Sequence, residues 1–144
     1  MEGHDQNDHN GRMTKRTATC RCGQLTATCT GEPVRVSVCH CRACQKRSGS
    51  AFAVQARWPH DQVELSGTFH EWTRIGESGK PATFRFCPTC GATLTFASAS
   101  MPDFTAVPVG AFSDPTFPPP RFSVYEESMH PWTRVAGEDV EHWD

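Results

Sequence analysis

Hydrophobic and polar residues alternate along most of this chain, and the period is two. Leu25, Ala27 and Cys29 take every second position, as do Val34, Val36 and Val38, and then Phe52, Val54, Ala56 and Trp58. Such alternation marks a strand with one buried face. Val63 and Leu65 begin a shorter strand that stops at the turn pair Ser66-Gly67. Phe84 and Phe86 lead into Cys87, and Leu94 and Phe96 lead away from Cys90, which predicts strand, knuckle, strand. Thr105, Val107 and Val109 predict a strand ending at Gly110, Ser113-Asp114-Pro115 a turn, and Phe122 with Val124 a last strand. Phe117-Pro118-Pro119-Pro120 blocks regular structure, because proline lacks the N–H a ladder requires. No stretch sustains a helical period; Cys41 to Arg47 and the residues near Glu126 are expected to form single turns at most. The predicted class is mainly β, in one domain spanning 16–144. Residues 1–15 lack apolar periodicity and are expected to be a disordered tail in which His4 and His9 are solvated.

Composition narrows the function classes. At 144 residues the chain supports a real core without disulfide staples. No apolar run approaches the roughly 20 residues of a membrane-spanning helix, so no membrane association is expected. The polar segment Met1 to Arg12 has no hydrophobic stretch, so a reducing cytoplasm is the expected compartment. Clustered cysteines there bind metal or catalyse more often than they bridge. A net charge of −2 with a pI near 6.4 disfavours nucleic acid as a partner.

Seven of the eight cysteines fall into three clusters: Cys20-x-Cys22, Cys39-His40-Cys41-x-x-Cys44 and Cys87-Pro88-Thr89-Cys90-Gly91. Two pairs suit one closed tetrahedral zinc site, whose thiolates lie about 2.3 Å from the metal. Gly23 and Gly91 permit the positive φ that brings backbone amides to the thiolates. The long separation of the pairs means one ion would tie the first strand to a central hairpin, and so support the fold. The competing reading of Cys87-x-x-Cys90, a redox pair, requires a helix in a βαβ setting that the pattern lacks.

Cys39, Cys41 and Cys44 are one ligand short of a closed site, and an open zinc position is where chemistry occurs. An incoming thiol there would lose its proton. Arg42, Lys46 and Arg47 offset thiolate charge and attract an anionic substrate, and Ser48-Gly49-Ser50 offers a flexible, donor-rich loop for a carboxylate. Cys29, His40 or a distant histidine remain alternatives for a fourth ligand. Cys29 shares the parity of Leu25 and Ala27, which favours a buried apolar role.

The run Cys20-Arg-Cys22-Gly23, the segment CHCRACQKRSGSAF from Cys39 to Phe52, and Phe86-Cys87-Pro-Thr-Cys90-Gly91 together resemble the glutathione-dependent formaldehyde-activating enzyme family, also named for centromere protein V. Val109-Gly-Ala-Phe-Ser-Asp114-Pro115, Val124-Tyr-Glu-Glu-Ser128 and Trp132 match its later blocks, so the resemblance covers about residues 17–135. It implies an Mss4-like zinc-containing β-sheet fold with two zinc ions. Cys20, Cys22, Cys87 and Cys90 are then expected to hold structural zinc, and Cys39, Cys41 and Cys44 catalytic zinc. The implied activity is a carbon–sulfur lyase that joins formaldehyde to glutathione, reversibly, as S-hydroxymethylglutathione. The expected mechanism has a substrate thiolate in the fourth zinc place attack the aldehyde, with Lys46 or the Ser48 hydroxyl stabilising the alkoxide. Arg47, Ser48, Gly49 and Ser50 are the expected substrate-binding residues. The family's later block often has two acidic residues before the proline; here Ser113 precedes Asp114, so an acid at 113 has no support.

Two other classes compete with this lyase: a zinc-stabilised binding module using the basic run Arg42 to Arg47, and a glutathione-linked redox protein using Cys41 or Cys44. Trp58, Trp72, Phe52 and Phe96 are expected in the core rather than lining a pocket. His70 and His130 are expected on the surface, and Glu126 and Glu127 on a solvated edge. Oligomeric state is not legible.

Overall fold

A computed structural model of the chain describes residues 14–76 and 79–144. Residues 1–13 of the expected tail, with His4 and His9, lie outside the described residues. Lys15 does not belong to that tail: it opens the first strand and pairs with Thr30, its side chain outward and so without an apolar signature.

In order, the elements are β1 (Lys15–Thr19), β2 (Thr26–Thr30), β3 (Arg35–Cys39), α1 (Arg42–Ser48), β4 (Ala53–Pro59), β5 (Val63–Ser66), β6 (His70–Ile75), β7 (Pro81–Phe86), β8 (Thr93–Ser98), β9 (Phe104–Pro108), β10 (Phe122–Val124) and β11 (Glu141–His142). Short 3-10 turns cover His60–Gln62, Val109–Phe112 and Glu126–Ser128. Strands β1-β2-β5 form a small antiparallel sheet, and β11-β10-β3-β4-β9-β8-β7-β6 a larger one. Among the described residues the parallel pairings are those of β10, with β3 on one side and β11 on the other. The chain is a single mainly β domain of the Mss4-like kind.

The two sheets enclose the core. Ala18, Leu25, Ala27 and Cys29 meet Val36, Ala56, Trp58, Leu94 and Val107, with Phe117 closing one edge. Burial of Cys29 inside this core agrees with its parity. Trp58 is fully buried and gives its indole N–H to the Gly31 carbonyl at 2.9 Å, so the largest core side chain leaves no orphan donor.

Strand parity then decides where the cysteine trio stands. On β4 the even positions Val54, Ala56 and Trp58 face the core, so Ala53, Gln55 and Arg57 face the other way. Cys39 is the cross-strand partner of Ala53, Ser37 of Gln55 and Arg35 of Arg57, which puts Cys39 on that outer face. Arg57, Ala106, Phe96, Phe84 and Trp72 succeed one another across the same face; Phe84 stacks on Phe96 at 5.3 Å and meets Trp72 in a tilted contact at 5.9 Å.

Several expectations change. The segment after Cys41 is a seven-residue helix, α1, rather than a single turn. Its short length carries no periodic signal, and Cys41 and Gly49 cap its ends. Val109 leaves the strand and starts a 3-10 turn, and Val34 lies outside β3 with 57% of its surface exposed. Trp72 is 58% exposed on the edge strand β6, not in the core. Strand β6 shows no burial alternation, so hydrophobic patterning could not announce it.

Candidate metal centres

The turn after β1 and the turn between β7 and β8 are built alike. Gly23 N–H donates to the Cys20 carbonyl and Gly91 N–H to the Cys87 carbonyl, and both glycines have left-handed φ, 88° and 81°. This fold-back aims N–H groups at sulfur: Leu25 N–H reaches Cys20 Sγ at 3.3 Å, and the N–H groups of Thr89 and Cys90 reach Cys87 Sγ at 3.3 and 3.4 Å. Gln24 adds a side-chain amide to Cys87 Sγ at 3.0 Å and is held by Thr68 through both ends of its amide. Loss of solvation opposes ionisation of Cys87, but the Gln24 amide and these two N–H groups more than reverse it and bring the thiol down to about 5.

The four sulfurs of Cys20, Cys22, Cys87 and Cys90 all lie within 4.8 Å of one another. A tetrahedral zinc with bonds of about 2.3 Å requires sulfurs about 3.8 Å apart. Cys20 and Cys22 stand 3.6 Å apart and Cys22 and Cys87 3.7 Å, so two edges of the cage already match that spacing. One pair belongs to the small sheet and the other to the large one, so an ion here pins the two sheets together at one end.

Cys39, Cys41 and Cys44 gather within the same limit at the junction of β3 and α1. Cys41 is the N-cap of α1, its sulfur accepting from Cys44 N–H at 3.4 Å. Hydrogen bonds from the Cys39 and Cys44 thiols hold Cys41 well below the usual thiol range. Cys39 is driven up chiefly by its contacts with Cys41 and Cys44. One thiolate is what this trio sustains alone; three together require a cation among them.

No fourth ligand joins the trio among the described residues. Cys29 is in the core, and His40, though between two of the cysteines, is fully buried with Nε2 bonded to Ser123 Oγ at 2.9 Å. Ser123 spends its hydroxyl proton on the Glu126 carboxylate, so it accepts from His40 Nε2–H. Burial lowers the His40 pKa, which keeps the ring neutral, and Nδ1 has no partner. Glu126 also takes His142 Nδ1 at 2.7 Å, so it closes a network rather than standing on a solvated edge.

Of the expected catalytic and substrate-binding residues, Lys46, Arg47 and Ser48 lie on α1, Gly49 is its C-cap and Ser50 follows the cap. Lys46 is exposed. The Ser48 hydroxyl donates to the Cys44 carbonyl at 2.9 Å and its oxygen accepts from Ser50 N–H at 3.1 Å, so it finishes the helix, and Gly49 caps it at φ 71°. The loop expected to be flexible is thus ordered by its own hydrogen bonds. Arg47 lays its guanidinium over Phe96 at 4.6 Å, three residues from Cys44, whose charged form it favours.

Two participants escaped the sequence reading. Arg57 shares the outer sheet face with Cys39, and although burial and Arg35 lower its pKa, Cys44 and Cys39 act to raise it. Its odd position in the Phe52–Trp58 alternation was the available signal. Gln45 is the other. Its Nε2 donates to the His40 carbonyl at 2.7 Å and to the Ser128 carbonyl at 3.1 Å, while Oε1 faces His130 Nε2 at 2.9 Å. His130 is therefore half-buried against α1 instead of lying free on the surface; His70 is exposed as expected.

Comparison with known proteins agrees with this geometry. The family described as glutathione-dependent formaldehyde-activating enzyme matches residues 15–128. A crystal structure of a Rhodobacter sphaeroides protein is similar in fold, with 21% identity and a TM-score of 0.52 over 69% of this chain and 91% of that one. No curated protein matches the chain. No described helix is long and apolar enough to cross a membrane.

Proposed function

Because the chain belongs to the glutathione-dependent formaldehyde-activating enzyme family, we propose that it is a zinc enzyme joining a small thiol to an aldehyde, a carbon–sulfur lyase of the S-hydroxymethylglutathione type. The observation that carries this reading is the trio Cys39, Cys41 and Cys44, three soft donors with no fourth described ligand, within the electrostatic reach of Arg47 and Arg57. Cys20, Cys22, Cys87 and Cys90 hold the structural ion and the trio the catalytic one, two zinc ions per chain. Zinc, when bound, supplies a place where the substrate thiol is held as thiolate. Arg47 offsets the sulfur charge, and with Ser48, Gly49 and Ser50 it orients the substrate. The thiol gives up its proton to solvent, its sulfur forms the C–S bond with a lone pair, and the carbonyl π electrons pass to oxygen, which takes a proton from Lys46 Nζ, itself recharged from solvent. The lyase direction reverses each of these movements. A cytoplasmic setting, rich in glutathione, suits the substrate.

One observation favours a second reading. Cys41 sits at the N-cap of α1 with its pKa held low, an arrangement that also suits thiol–disulfide exchange. Cobalt-substituted protein separates the readings. The lyase reading expects the thiolate-to-cobalt absorption to change on adding glutathione, and glutathione–formaldehyde exchange by NMR to exceed the uncatalysed rate. A spectrum and a rate both unchanged would overturn it. A mixed disulfide at Cys41 or Cys44 with oxidised glutathione would then support the redox reading, and its absence would leave a binding module.

A further inference from the structure

The large sheet ends in two very different edges. At one end β11 is two residues long, too short to template a strand. At the other, β6 offers six residues, with no proline, lysine or bulge to blunt it. Its backbone polarity follows from its pairing with β7. Gly76 N–H donates to the Lys80 carbonyl, and these two residues continue the register in which Trp72 faces Phe84. Antiparallel ladders alternate, so His70, Trp72 and Arg74 spend their N–H and C=O groups on β7. Those of Glu71, Thr73 and Ile75 point away from the sheet. The same strand carries two large exposed apolar side chains, Trp72 and Ile75.

The row of rings on the outer face stops at this edge. Phe96, Phe84 and Trp72 stand side by side on β8, β7 and β6, and Trp72 is the last. A two-fold axis perpendicular to the sheet sets a second β6 antiparallel to the first, in registers where odd residues oppose odd and even oppose even. Three such registers overlap most of the strand. Centred on Glu71, the pairing opposes two carboxylates, which is destabilising. Centred on Thr73, it opposes Ile75 to Glu71. Centred on Trp72, it opposes Trp72 to its own copy, Thr73 to Glu71 and Ile75 to Phe69. Of the three, the last gives both exposed apolar side chains an apolar partner. Because Trp72 already bonds β7, the indole pair takes a non-hydrogen-bonded position, where opposed Cα atoms come to about 4.5 Å and side chains lie closest. His70 then faces Arg74, whose long side chain reaches past the ring into solvent.

We propose that β6 is an interface with a second copy of this chain. Two β6 strands pair antiparallel about Trp72, which joins the large sheets edge to edge and the two rows of rings into one. Glu71 and the partner's Thr73 exchange N–H···O bonds, and the two-fold axis repeats them. A six-residue edge buries less than the about 1,200 Å² at which standard interfaces begin. The dimer is therefore weak, assembling between about 10 μM and 1 mM.

Sedimentation velocity of the metal-loaded full chain over that range is expected to move from the mass of one chain, 16.0 kDa, toward twice that. Hydrogen exchange at both ends of the range reads which surface pairs. The amides of Glu71 and Thr73 should slow with concentration, while those of Trp72 and Arg74, already bonded to β7, should not. Trp72→Lys, at an exposed site, is expected to weaken association at least about tenfold and to leave metal content and Tm unchanged. Thr73→Pro removes an outward N–H that β7 does not use, a place where proline is tolerated, and should weaken association as much. If it unfolds the chain, the lysine variant decides by itself. A chain that keeps the mass of one copy up to about 1 mM overturns the proposal. So does a dimer that survives Trp72→Lys, or one that slows other amides and leaves those of Glu71 and Thr73 as they were.

Discussion

Replacing Gln45 with alanine tests how the cysteine trio is held. Gln45 ties α1 to the segment after β10 through two hydrogen bonds, and through a third, at 2.7 Å, it serves the carbonyl of His40, a fully buried residue between Cys39 and Cys41. Leaving a buried carbonyl without a partner costs about 1–3 kcal/mol. The contacts to Ser128 and His130 are half-buried and water can replace them, so they add under about 1 kcal/mol. Alanine favours the helix and returns a few tenths of a kcal/mol. The sum is a loss of about 2 kcal/mol, which for a domain of this size lowers Tm by about 4–8 °C. The same bonds orient the loop that carries the sulfurs, and loss of such support typically weakens metal affinity about 10- to 100-fold. Thermal unfolding by circular dichroism and chelator competition on the two-metal protein read both quantities. One ion should leave early and the other should hold as in the wild type. A Tm within about 1 °C of wild type, with both ions leaving at wild-type rates, would refute this reasoning.

The two clusters should respond oppositely to loss of one ligand: Cys22→Ser should unfold the chain or lower its Tm by more than about 10 °C, since it releases the tie between sheets, whereas Cys41→Ser should keep the fold and lose one ion, as read by metal analysis with circular dichroism. Gly67→Ala should cost more than about 3 kcal/mol, because its φ is 110° and an added Cβ would stand 2.2 Å from the Gln24 carbonyl oxygen; Gly110→Ala, with open space around it, is the control in denaturant melts. Acid should loosen β11. Burial pushes the Glu126 carboxyl up, but its bonds to Ser123 and His142 prevail and hold it below the usual range. Its stabilisation is therefore complete above the unfolded value of about 4.3 and is lost as pH falls through the lower folded value. Trp143 N–H, which bonds the Ser123 carbonyl at 2.8 Å, should lose exchange protection over that window. Glu126→Gln should abolish the pH dependence, and an unchanged profile would rule the carboxylate out.

What the sequence determined by itself is local. The spacing within each cysteine cluster, the glycines that let a chain fold back on its own sulfur, the turn at Ser66-Gly67 and the alternation of β2, β3 and β4 all depend on neighbours a few residues away. Short-range sterics and the pleat decide those features, so they are legible in one strand of text. Tertiary structure decided what depends on register between distant strands. That Cys39 and Arg57 share a face follows from Cys39 lying opposite Ala53. That Arg47 covers Phe96, and that Gln45 meets His130 across 85 positions, follows from where α1 lands on the sheet. Strand β6 was invisible because both its faces are largely exposed, and hydrophobic patterning records only a burial that differs between faces. A cleft between the C-terminal end of α1 and the Cys87–Cys90 knuckle was invisible for a related reason: its walls come from four separate parts of the chain, none of which carries a motif for it.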